Sequence, residues 1–272
     1  MSEFISSPHN PIVKLVASLR LKKRRDETGL FIAEGIRLVE EALGSCWKAH
    51  MLIYTSDIKE TQRFQDLLTK LDPRDCRIIE VPTNIFERIS ETEQPQGVML
   101  LIDKRSSNKL EQLIDHERPL IAILDAVQDP GNVGTLIRTA DAVGCTAVIL
   151  TRGCADLFSG KTVRASMGSI FHLPVYPDMS PVEIVEFMER HKIKLLATSL
   201  ESSDNYCSAD FTDRVAIIFG NEGNGVSKDL LEHSYKRLHI PIIGKAESLN
   251  VSAAAAVILY EAVRQRGWLA CN

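Results

Sequence analysis

Apolar and polar positions alternate along this chain with two periods. Short β-branched runs recur, separated by stretches whose apolar residues fall on one helical face. In the first third, Asn10–Arg25 carries Ile12, Leu15, Val16 and Leu19 on one such face, predicting a helix. GLFIAEG then predicts a strand ending at Gly35, IRLVEEAL a helix and HMLIYT a strand. Gln62–Lys70 is predicted helical, CRIIEVP extended, TNIFERIS helical and GVMLLI a last strand. Alternation of this kind predicts a small α/β unit over 1–103 with a mixed or parallel sheet.

The stretch DKRSSNKLEQLIDHERP (Asp103–Pro119) interrupts the pattern with Ser, Asn and charge. It is the predicted linker, 104–119, in which LEQLI can form a helical turn. The pattern restarts over 120–272. LIAILD, TAVIL, FHLPVY, IKLLATSL, VAIIFG and RLHIPI are predicted strands. Asn132–Val143, Lys161–Gly168, Pro181–His191, Ser227–Ser234 and Asn250–Arg266 are the predicted helices. Near-continuous apolar runs mean strands covered on both faces, so the expected architecture is α/β with a mostly parallel, doubly wound sheet. No repeat of solenoid period is present.

Composition adds little: 272 residues, 44% hydrophobic and 25% charged, is ordinary globular usage with room for more than one core. Charge placement adds more. The net charge of -4 does not suggest a generic polyanion binder. Residues 1–25, however, set Lys14, Arg20, Lys22, Lys23, Arg24 and Arg25 against Glu3 alone. Such an arm suits contact with phosphates, and equally suits a solvated helix end. The six cysteines form no CxxC pair and have no His at ligand spacing, which predicts reduced thiols, no structural zinc and a cytoplasmic setting. No apolar run approaches the ~18 residues of a membrane span, and the first residues lack a signal-peptide core.

Familiar catalytic signatures are missing. There is no GxxxxGK[ST] phosphate loop, no GxGxxG, no GxSxG elbow and no HExxH. What stands out is three Gly/Asn-rich segments, each after an apolar run: DPGNVGTLIRTADAVG (Asp129–Gly144), FGNEGNGVS (Phe219–Ser227) and IPIIGKAESLNVSAAAAVILYEA (Ile240–Ala262). Strand ends converging in this way form a small-molecule site in open α/β sheets. Asn132 sits where a helix N-cap is expected. Arg138, flanked by Leu136, Ile137 and Ala140, reads either as a surface ion-pair residue or as a half-buried, oriented guanidinium. Glu222, between two glycines, can anchor a loop by accepting backbone N–H bonds or be an exposed turn acid. Ser248, Asn250 and Ser252 cluster at a helix start, where capping accounts for one of the three.

These three motifs, in this order and spacing, resemble those of the SpoU (TrmH-type) RNA ribose 2′-O-methyltransferases over roughly Leu120–Arg266. The run FISSPHNPIVKLVASL…KKRRDETGLFIAEGIRLVEEAL resembles the substrate-binding extension of the rRNA-directed members. The resemblance implies a C-terminal trefoil knot formed after Phe219, against the general rule that chains do not thread loops. It implies S-adenosylmethionine held by Gly220, Ile240 and Leu249, with Thr198, Asn221, Gly223, Pro241 and Ser252 in the same cofactor site. It implies Arg138, Asn132, Glu222, Ser248 and Asn250 as the catalytic set, with no metal. Lys22, Lys23, Arg24 and Arg25 become RNA contacts, the final helix a homodimer interface, and large-subunit (23S) rRNA the expected substrate. tRNA, or a silent RNA-binding adaptor with the same fold, are the alternatives.

Overall fold

The computed structural model describes residues 3–72, 74–104, 110–200 and 204–267, apart from the side chains at 112 and 114. Part of the expected linker (105–109) and Cys271 lie outside these residues. The chain divides into two compact units: 1–106 with 158–171, and 107–157 with 172–272.

The elements in the first stretch of chain are β1 (Glu3–Phe4), α1 (Pro11–Ser18), α2 (Lys22–Thr28), β2 (Leu30–Glu34), α3 (Ile36–Leu43) and β3 (Ala49–Thr55). There follow α4 (Ser56–Lys59), α5 (Gln62–Leu68), β4 (Arg77–Val81), α6 (Thr83–Ile89) and β5 (Val98–Asp103). The sheet order is β1-β4-β3-β5-β2. β5 runs antiparallel to both its neighbours, and the other pairs are parallel, so the sheet is mixed.

The expected helix over Asn10–Arg25 is two helices. Asn10 caps α1 through its side chain, and the chain breaks at Leu19–Leu21 before α2 starts. The Arg25 guanidinium explains the break: it is buried and donates to the carbonyls of Leu19 (2.6 Å) and Arg20 (2.8 Å). Buried backbone acceptors freed at a helix end require such donors.

The second stretch holds β6 (Leu120–Leu124), α7 (Pro130–Ala142), β7 (Ala147–Thr151), α8 (Gly160–Ser166), β8 (Val175–Met179) and α9 (Pro181–Arg190). It ends with β9 (Lys194–Thr198), β10 (Val215–Phe219), α10 (Lys228–Glu232), β11 (Lys236–Leu238) and α11 (Val251–Gln265). The sheet order is β11-β9-β10-β6-β7-β8, with every pair parallel. β6, β7 and β10 are buried at every residue, as strands covered by helices on both faces must be. α11 packs against α7, burying Ala255, Ile258, Leu259 and Ala262.

Three expectations change here. FHLPVY gives a strand only from Val175, because Ser169–Phe171 forms a 3-10 turn. RLHIPI gives only Lys236–Leu238, since Ile240 onward leaves the sheet as loop. The segment Phe158–Phe171, expected in the second domain, packs into the first unit. Its Phe158 and Phe171 rings lie 4.9 and 6.3 Å from Phe31, and both also meet Trp47. Aromatic area of that size decides where a segment docks.

Candidate active site

The site grows from strand ends of the second unit. Asp129, not Asn132, caps α7: its carboxylate accepts from the Asn132 N–H at 3.0 Å, and Pro130 fills the first helical position. A proline there needs no N–H partner, so the cap falls one residue before it. That displaces Asn132 to the third helical position and frees its side chain for other work.

The Asn132 amide donates to Glu222 Oε1 at 3.0 Å, and its Oδ1 accepts from Asn250 Nδ2 at 3.1 Å. Asn250 in turn caps α11, its Oδ1 accepting from the N–H groups of Ser252 (2.9 Å) and Ala253 (3.4 Å) and from the Ser252 hydroxyl (2.5 Å). Glu222 also accepts from the N–H groups of Gln128 (3.1 Å) and Asp129 (3.2 Å). One side-chain relay, Glu222–Asn132–Asn250, thus joins all three motifs. Partial burial of Glu222 works to raise its pKa. The Asn132 amide and the backbone N–H donors outweigh that, and the carboxyl titrates below its ordinary value.

The FGNEGNG loop is fastened at two further points. Asn221 Nδ2 donates to the Ala126 carbonyl at 2.8 Å, while its Oδ1 accepts from Gly223 and Asn224 N–H, each at 3.0 Å. Asp125, buried at the end of β6, accepts from Ser227 N–H at 2.7 Å and from the Thr151 hydroxyl at 3.0 Å. Asp125 was missed in the sequence. Its signal was an acid ending the fully apolar run LIAIL. Gly220 permits the tight return: a Cβ there would lie 2.2 Å from the Gly225 carbonyl carbon.

A cavity of about 300 Å³ opens among these loops. Thr198, Gly220, Asn221, Gly223, Ile240 and Leu249 line it, with Glu222, Ser248 and Asn250. Pro241 and Ser252, expected beside them, are not among the lining residues; Ser252 is held by Asn250 instead. Ser248 is exposed and makes no hydrogen bond among the described residues. Thr198 is fixed by a bond to the Ile218 carbonyl at 2.9 Å. The backbone N–H groups of Ile240, Ile242 and Leu249 face no hydrogen-bond partner among the described residues. Unpaired donors around a partly apolar cavity are what a small polar ligand satisfies.

Arg138 does not line the cavity. The half-buried position considered for it gives way to an exposed one, on the outward side of α7, without hydrogen-bond or ion-pair partner among the described residues. Its apolar neighbours Leu136 and Ile137 point into the core and leave Arg138 outside. Among the described residues no group of three or more His, Cys, Asp or Glu is placed to hold a metal. No helix among them is long and apolar enough to cross a membrane.

Residues 119–260 match the SpoU rRNA methylase family, and residues 10–100 match the MRM3-like substrate binding domain. The chain belongs to the SpoU rRNA methylase family. The mostly parallel α/β fold of residues 119–260 is the trefoil-knot methyltransferase fold of that family. A SpoU relative from Bacillus subtilis, a 23S rRNA (guanosine(2553)-2′-O)-methyltransferase, is 38% identical over 94% of this chain and 97% of its own length. A 23S rRNA (uridine(2479)-2′-O)-methyltransferase of Streptomyces viridochromogenes is 31% identical over 92% of this chain and 88% of its own. An AdoMet-bound rRNA methyltransferase from Sinorhizobium meliloti superposes with a TM-score of 0.84 at 35% identity, covering 97% and 98% of the two chains.

Proposed function

We propose that this SpoU methylase transfers the methyl group of S-adenosylmethionine to a ribose 2′-hydroxyl of large-subunit rRNA. The observation that carries the reading is the Glu222–Asn132–Asn250 relay, which locks three loops around one cavity. The cavity's volume and its unpaired backbone donors suit a nucleoside-sized cofactor. The two relatives named for their nucleotides act on a guanosine and a uridine, so the ribose rather than the base is common to both.

S-adenosylmethionine, when bound, supplies a sulfonium methyl that an oxygen nucleophile can displace. The protein's share is positioning and charge. A C–O bond forms as the methyl–sulfur bond breaks, and the hydroxyl proton must leave. Arg138 cannot take that proton, because a guanidinium stays charged at any ordinary pH. Exposed and without a partner among the described residues, it is available to an incoming RNA, where it stabilises the developing alkoxide while the neighbouring RNA phosphate accepts the proton. Asn132 and Asn250 set the start of α7 and of α11 against each other, and Glu222 holds the intervening loop in place.

The first unit supplies RNA contacts in this reading. Lys22, Lys23 and Arg24 are exposed on α2; Arg25 is withdrawn from the set because it is buried against carbonyls. An exposed stripe on α11, Ala253, Val257 and Tyr260, supports a homodimer through that helix. An rRNA substrate supports a cytoplasmic setting. The test is to map ribose methylation in rRNA from a deletion strain and to restore it with purified protein and labelled S-adenosylmethionine. One 2′-O-methyl nucleotide in 23S rRNA should disappear and return. Label on a base, or on tRNA alone, overturns the proposal.

A further inference from the structure

A second cavity, of about 250 Å³, lies within the first unit where β3 and α6 meet the turn before β5. Its apolar lining is Ile58, Phe86 and Pro95. Its polar lining is Thr55, Asp57, Thr83, Glu87 and Gln96: two acids and no Lys, Arg or His. Such a lining repels phosphate and invites a neutral, donor-rich group.

Three details point to a ligand. Thr55 is only 3% exposed, yet its hydroxyl has no hydrogen-bond partner among the described residues. Gly97, in the left-handed region at φ 74°, leaves that hydroxyl uncovered, since a Cβ there would stand 2.4 Å from Thr55 Oγ1. Glu87 is likewise without a partner among the described residues, whereas Asp57 already accepts from the Thr83 hydroxyl at 2.7 Å. A carboxylate and a hydroxyl without partners among the described residues therefore share one recess with apolar lining.

We infer that this recess holds one unstacked guanine of the RNA. Guanine presents two adjacent donors, N1–H and the 2-amino group, which match the two oxygens of the Glu87 carboxylate. Adenine and uracil present no such pair. Single-stranded RNA is recognised in this way, by bases turned out and hydrogen-bonded along their edges. The inference rests on the proposal that the first unit binds RNA.

The test uses the full chain, saturated with S-adenosylhomocysteine, in EDTA. Fluorescence anisotropy compares three RNA heptamers: oligo-U, the same with one central guanosine, and the same with inosine, which lacks the 2-amino group. Guanosine should bind about tenfold more tightly than either, the scale of one charge-assisted pair. Glu87→Gln, an exposed change that the fold tolerates, should erase the preference while leaving oligo-U binding unaltered. Thr55→Val should reduce it. Oligo-U binding without discrimination overturns the pocket and leaves the methyl-transfer reading standing. So does discrimination that appears only with added magnesium, which makes the recess a cation site. No binding of any heptamer overturns this inference together with the RNA-binding role of the unit.

Discussion

The motif loops of the second unit and the basic arm of the first are both polar segments beside helix ends, yet their side chains do opposite things. In the loops, Asn132, Glu222, Asn250, Asn221 and Asp125 spend their hydrogen bonds on one another and on backbone, and the polar groups left over face a cavity. In the arm, Lys23 and Arg24 reach Glu27 and Arg24 also donates to the Ser18 hydroxyl at 3.5 Å, all near the surface, while Arg25 turns inward to complete a helix junction. Polar side chains that bond across loops fix a shape, whereas those that remain in water offer charge without shape. Arg138 belongs with the second kind although it sits among the motifs.

The contrast breaks most visibly at Arg138. Arg138→Ala should lower methyl transfer ~10²–10³-fold, by analogy with the loss of an oriented electrostatic donor, and leave S-adenosylmethionine affinity within a few-fold. Near-full turnover removes Arg138 from the mechanism. Backbone shape is tested next. Gly220→Ala forces a methyl group into the Gly225–Val226 backbone and should abolish measurable cofactor binding by calorimetry. Gly244→Val, at an exposed loop glycine with nothing within 4 Å of its would-be Cβ, should change affinity little. Equal effects from the two would misplace the cradle.

Within the first unit, Phe158→Ala should destabilise by about 3 kcal/mol, the scale of emptying an aromatic core position. A fragment ending at 103 should consequently show exposed hydrophobic surface by dye binding, because Phe31 and Trp47 lose Phe158 and Phe171. A cooperative, dye-silent fragment refutes this.

The arm itself can be sharpened. Changing Lys22, Lys23 and Arg24 together to Gln should weaken RNA binding several-fold and flatten its salt dependence without shifting the melting temperature. Arg25→Gln should do the reverse, lowering the melting temperature by leaving the Leu19 and Arg20 carbonyls unpaired. The smallest effect concerns Glu222. Its depressed folded pKa makes its contribution complete above the ordinary glutamate value of 4.5, and that contribution fades only as pH falls below it. Glu222→Gln should remove this acid sensitivity from the stability curve measured between pH 3 and 6.

Local pattern alone was enough for the α/β class, the nearly all-apolar parallel strands and the three loops that follow them. Periodicity and Gly/Asn clustering are local properties, and they survive into the fold wherever burial rewards them. The rest depended on partners that folding brought together. Asp129 became the cap of α7 because Pro130 fixed where that helix begins, and Asn132 was thereby released to join Glu222 to Asn250 across 90 and 118 residues of chain. Phe158–Phe171 left its neighbours in sequence for the aromatic cluster of the first unit, and Arg25 left solvent for two orphaned carbonyls. Each of these outcomes turns on a partner distant in sequence or on a helix end whose position no local pattern specifies, and a side chain's chemistry is settled only when that partner arrives.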